Sequence, residues 1–120
     1  MISLSKTLLF ALTLSTTSLA LAAHRCDESV SAQYQNHIET QTENRFDFVR
    51  HIDRQEAESS INDSYYLRIE KKAESLSKIS EQGVVLYDGV SNYMSGTEQE
   101  LLIVNESTCE ITGMYFWASE

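Results

Sequence analysis

A chain of 120 residues with 18 acidic and nine basic side chains, a formal charge of −9, two cysteines and no proline holds material for one modest core and excludes a second domain. Its negative field disfavours nucleic acid and anionic lipid as partners and favours a cationic protein, through steering of encounter. Four glycines, none in a G-x-G or P-loop context, leave no phosphate cradle.

Met1 to Ala22 reads as a secretory signal peptide. Lys6 supplies the positive n-region, Leu8 to Leu14 the apolar h-region, and Ala20-Leu21-Ala22 an A-x-A cleavage site. A membrane anchor is the rival reading, but Ser15, Thr16, Thr17 and Ser18 interrupt the apolar run before it reaches the roughly 20 residues of a spanning helix. Cys26 lies several residues beyond the small-residue cluster, which argues against a lipoprotein signal. Cleavage removes Lys6 and no acid, taking the formal charge from −9 to −10, and leaves residues 23–120 as a single exported α+β domain, periplasmic or secreted.

In an oxidising compartment Cys26 and Cys109 are expected to form a disulfide. The bond would tie the start of the exported domain to its C-terminal apolar stretch. Chain-entropy arithmetic gives about 4–5 kcal/mol for so long a loop. No C-x-x-C spacing supports a redox pair.

From Asp27 to Glu58, Val30, Tyr34, Ile38, Phe46, Val49 and Ile52 recur at gaps of four, four, eight, three and three. The spacing predicts a long first helix, broken near Thr40 to Thr42, with a mixed-charge solvated outer face. Ser60, with Asp63 three residues on, predicts the N-cap of a second helix. Ile61, Tyr65, Ile69, Ala73, Leu76 and Ile79 give it one apolar stripe, and Gly83 stands where a C′ glycine would end it. A short connection makes the two helices an antiparallel hairpin.

After Gly83 the period changes. Asp88-Gly89 between Val84 to Tyr87 and Val90 to Met94 predicts a tight β-hairpin; Ser95 to Glu98 predicts the next turn, and Glu100 to Asn105 and Cys109 to Ala118 two further strands. The expected fold is α+β: an N-terminal helical hairpin packed on a C-terminal antiparallel meander of about four strands.

Both faces of the last two strands are apolar. Leu101 and Ile103 oppose Leu102 and Val104, and Ile111, Tyr115 and Trp117 oppose Met114, Phe116 and Ala118. A sheet half exposed to water should alternate. The second face calls for the first helix wrapping round, a dimer, or a binding target. A bulge at Gly113 would exchange faces beyond it.

Motifs for chemistry are sparse. His37 and His51 are too far apart for a helical ligand pair, no H-E-x-x-H occurs, and Glu39 with Glu43 lacks a third ligand, so no metal or other cofactor is expected. Cleavage after Ala23 instead would start the chain at His24, whose α-amine and imidazole can chelate copper together. In that respect alone it resembles the histidine-brace copper enzymes, and an exported copper protein or enzyme is a remote alternative. Ser91 and Ser95 lack the G-x-S-x-G elbow, and carboxylate pairs in so acidic a chain carry no information about glycoside chemistry. Asn62-Asp63-Ser64 and Asn105-Glu106-Ser107 match the glycosylation sequon, which matters only in a eukaryotic host.

The remaining signal is aromatic. Tyr87, beside an expected hairpin tip, with Asp88, Tyr93, Tyr115 and Trp117, forms a candidate interface, since Tyr and Trp are common anchors of interfaces. The sequence thus points to a small exported, non-enzymatic protein-binding module, inhibitor or immunity protein in general character, engaging a cationic envelope protein without inserting in a membrane. The alternative is a structural or assembly subunit, or a homodimer.

Overall fold

The computed structural model describes residues 25–39, 46–93 and 96–119, and the side chains of Glu39, Phe46 and Tyr93 are outside that description. The expected signal peptide, His24, and the break near Thr40 also fall outside it. The elements are helix α1 (Asp27–Glu39), strand β1 (Phe46–Ile52), helices α2 (Arg54–Asp63) and α3 (Ile69–Ile79), then strands β2 (Val84–Tyr93), β3 (Gly96–Asn105) and β4 (Ile111–Ser119). The four strands form one antiparallel sheet in the order β1-β2-β3-β4. The class is α+β, as the sequence predicts.

The first expected helix ends early. Phe46, Val49 and Ile52 fit a helical period, but the stretch FDFVRHI is rich in β-formers, and pairing from Phe46↔Asn92 to Ile52↔Leu86 makes it an edge strand. The second expected helix is really two. Asp53, not Ser60, is the N-cap of α2, its Oδ1 accepting the Glu56 amide at 2.8 Å. Ser64 then ends the helix: its buried hydroxyl accepts from the amides of Tyr66 and Leu67 and donates to the Trp117 carbonyl, a local geometry that competes with helix continuation. α3 restarts at Ile69 and is capped at Ser80. Gly83 is therefore not the C′ residue, although it does take a positive φ of 76° in the turn into β2.

Asp88-Gly89 makes no turn. β2 runs unbroken through it, with Asp88 opposite Arg50 and Leu101 and Gly89 opposite Val49 and Glu100. The glycine serves a different purpose, because a Cβ there would stand 2.7 Å from the ring of Tyr34 on α1. The β2–β3 connection comes later, between Tyr93 and Gly96.

The helices sit on opposite faces of the sheet rather than as one hairpin on one face. Val30, Tyr34 and Ile38 of α1 pack with Tyr87, Leu102 and Val104; Ala57, Ile61 and Ile79 of α2 and α3 pack with Leu86, Leu101, Ile103, Tyr115 and Trp117. Of the three explanations for a doubly apolar sheet, the first helix covering the second face is the one observed. Two bulges in β4 set its faces. Thr112 falls between the pairs Val104↔Ile111 and Ile103↔Gly113, and Trp117 between Glu100↔Phe116 and Gln99↔Ala118. Ile111 consequently packs on the α1 side with Met114, while Ala118 joins Tyr115 and Trp117 on the other.

The disulfide Cys26–Cys109 spans 83 residues and fastens α1 to the β3–β4 turn. Asn105 Oδ1 builds that turn by accepting the amides of Ser107 and Thr108, and Cys109 leaves it in the left-handed region at φ 60°. The Arg25 guanidinium donates to the carbonyls of Glu106 and Ser107. Gln33 pairs with β4 as a strand residue would: Nε2 donates to the Cys109 carbonyl at 2.6 Å, and Oε1 accepts from the Ile111 amide at 2.9 Å. Such capping blunts an edge strand.

Candidate functional site

A cleft of about 220 Å³ opens on the α2 side of the sheet. Residues 56, 60 and 63 stand on one face of α2 by helical spacing, and the cleft is lined there by Glu56, Ser60 and Asp63, and from the sheet by Arg50, Asp88, Gln99 and Trp117. At its back, Asp88 is 2% exposed. Gln99 Nε2 donates to Oδ2 at 2.9 Å and Trp117 Nε1 to Oδ1 at 3.2 Å. Arg50 Nη2 stands 3.5 Å from Asp88 Oδ2 and 2.8 Å from Glu56 Oε1. Burial pushes the Asp88 carboxyl above the usual carboxylate range, opposed by the bonds from Gln99, Trp117 and Arg50. The hydrogen bond to Glu56 holds the Arg50 guanidinium above its ordinary value.

The second bulge explains how β4 contributes here, because it turns both Trp117 and Ala118 toward the cleft. With both oxygens of Asp88 holding donors, that carboxylate anchors the cleft's wall. Asp63, by contrast, lies in no ion pair among the described residues.

The candidate interface expected from the sequence is mostly interior. Tyr87 is fully buried under α1, its hydroxyl donating to Asp27 Oδ1 and its ring meeting His51 edge-on at 5.4 Å. Burial and the Asp27 carboxylate push that hydroxyl well above the usual tyrosine range. Asp88, Tyr115 and Trp117 are buried on the other face. Tyr115 sits in the core near Lys78, whose Nζ lies 5.6 Å from the ring centroid. The exposed hairpin tip expected at Tyr87 does not exist, because β2 continues through Gly89. Tyr93's side chain is outside the described residues.

Aromatic and apolar surface appears instead where the expected second helix breaks. Tyr65 is 99% and Ile69 85% exposed, with Tyr66 half exposed beside them. Tyr66 stacks edge-on against Phe116 at 5.2 Å and donates through its hydroxyl to the Ser119 carbonyl at 3.3 Å, so this segment leans on β4 next to the cleft. A helical reading places Tyr65 and Ile69 in the buried stripe. The signal against that was Asn62-Asp63-Ser64, three residues that bond to nearby backbone and favour helix ends. Among the described residues, no group of three or more His, Cys, Asp or Glu side chains is placed to hold a metal ion, and no helix is long and apolar enough to cross a membrane.

Fold and site together define a disulfide-bonded α+β domain with a meander between helical layers. No protein-family model, curated protein or solved structure matches this chain.

Proposed function

We propose that this chain is an exported, non-enzymatic protein-binding module of inhibitor or immunity type, which engages a cationic protein through the Tyr65–Ile69 segment and the adjoining acidic cleft. The observation that carries the reading is the nearly complete exposure of Tyr65 and Ile69 beside a cleft lined by Glu56, Asp63 and Asp88. Large apolar side chains grouped at the surface mark contact sites, and burying each on binding contributes about 1.5–3 kcal/mol. Glu56 and Asp88 are engaged by Arg50, and the cleft offers a basic side chain of the partner the carboxylate of Asp63 at its rim. The negative charge of the whole chain, −9 before and −10 after loss of Met1 to Ala22, steers such a partner inward. Export is supported by the signal-like Met1 to Ala22, and the Cys26–Cys109 disulfide is compatible with an oxidising compartment.

The test is capture from an envelope extract on the immobilised domain, followed by titration of the purified partner. Tyr65→Ala with Ile69→Ala should weaken binding by at least about tenfold, with the melting temperature unchanged because neither residue is buried. Undiminished binding by that variant would remove the surface from consideration.

A further inference from the structure

We propose that the same surface is self-complementary and that, without its partner, the chain pairs with a second copy through it as a two-fold dimer. This rests on the reading above of where the contact surface lies, but not on the partner's identity. Arg68, Lys71 and Lys72 stand in or beside the exposed segment, three of the nine basic residues, with Glu70 and Glu74 interspersed on α3. Lys71 and Lys78 are paired with Glu74, and Lys72 Nζ donates to the Asn62 carbonyl. Arg68 is exposed and enters no ion pair among the described residues, and the same holds for Asp63.

These two opposite charges flank Tyr65 on one short segment, with Ile69 next to Arg68 and the acidic cleft next to Asp63. In a two-fold interface, a residue i that meets j of the second copy has its own j met in return. Arg68 of each copy then meets Asp63 of the other, while Tyr65 and Ile69 of both copies are buried between them. Elsewhere two chains of charge −9 repel. The local opposite charges therefore select this register over other approaches.

Size exclusion with light scattering on the purified chain at micromolar concentration reads the result. The expected mass is twice that of the chain. Arg68→Glu and Asp63→Arg should each weaken dimerisation by at least about tenfold, since each sets like charges opposite one another twice per dimer. An equimolar mixture of the two variants should restore the dimer, because one cross-pair keeps the native charges and the other reverses both. Circular dichroism confirms that each variant is folded; both positions are exposed. A monomeric wild type, a dimer indifferent to both variants, or a mixture that stays monomeric overturns the proposal. A monomeric wild type that still captures a partner through Tyr65 would remove the dimer and leave the partner reading standing.

Discussion

Tyr34 on α1 occupies the space where a side chain on Gly89 of β2 would be: a Cβ there would lie 2.7 Å from two of its ring atoms. The glycine is a seat for the helix that closes the second face of the sheet. Gly89→Ala should therefore destabilise the fold by about 1–3 kcal/mol, the cost of overpacking, measured by urea unfolding. In a Tyr34→Ala background the same substitution should cost much less, because the clash is with that ring.

α1 is held to the sheet by the disulfide, by Arg25 on the β3–β4 turn and by Gln33 on β4. Removing the disulfide with Cys26→Ala and Cys109→Ala should lower stability by about 4–5 kcal/mol in the chain-entropy account, out of a domain total of about 5–15 kcal/mol. Denaturant midpoints measured on the variant check the size of the loss. Binding of a hydrophobic dye should rise as Tyr87, Leu102 and Val104 lose their cover.

Asp88 gives a pH dependence of definite sign. Its carboxyl is raised in the folded state, with burial as the leading cause, so the folded protein binds this proton more readily than the unfolded chain. The associated stability is full below the unfolded value and is lost as pH rises through the folded one. Wild type should therefore gain on Asp88→Asn as pH falls from neutral through that window, read as the difference between their unfolding free energies. A flat difference would mean that the folded carboxyl is not raised.

Ser64 connects the helix break to the cleft. Its hydroxyl serves the amides of Tyr66 and Leu67 and the Trp117 carbonyl. Ser64→Ala leaves these groups without that partner in a buried site, and should cost about 1–3 kcal/mol. The accompanying loss of order in Tyr65 to Arg68 should appear as faster amide exchange in that segment.

Much of the architecture was legible where local preference and tertiary pairing agree. The two apolar faces of β3, the strand character of Cys109 to Ala118 and the pairing of the only two cysteines are read directly from the sequence. The readings that failed did so where two physical explanations share one pattern. Asp-Gly suits a turn by its freedom in φ, but the same missing side chain makes room for Tyr34. Phe46, Val49 and Ile52 fit a helix, but strand pairing with β2 decides their state. Tyr65 and Ile69 continue a stripe from Ile61 only if the helix survives Asn62-Asp63-Ser64. A continued helix would put in the core the two residues that are in fact the most exposed of the large hydrophobic side chains described. Asp53 with Glu56 has the same spacing as Ser60 with Asp63, and it is Asp53 that caps α2.

The division of aromatics between core and surface underlies the functional reading, and hydroxyl-radical footprinting with mass spectrometry tests it most directly. Measured on the free chain at a dilution where it is monomeric, Tyr65 should label fastest, Tyr66 and Phe116 more slowly, and Tyr34, Tyr87, Tyr115 and Trp117 should be protected. Labelling of Tyr87 or Trp117 as fast as Tyr65 would contradict the account, because the sheet would then present an open face and the contact surface would lie there.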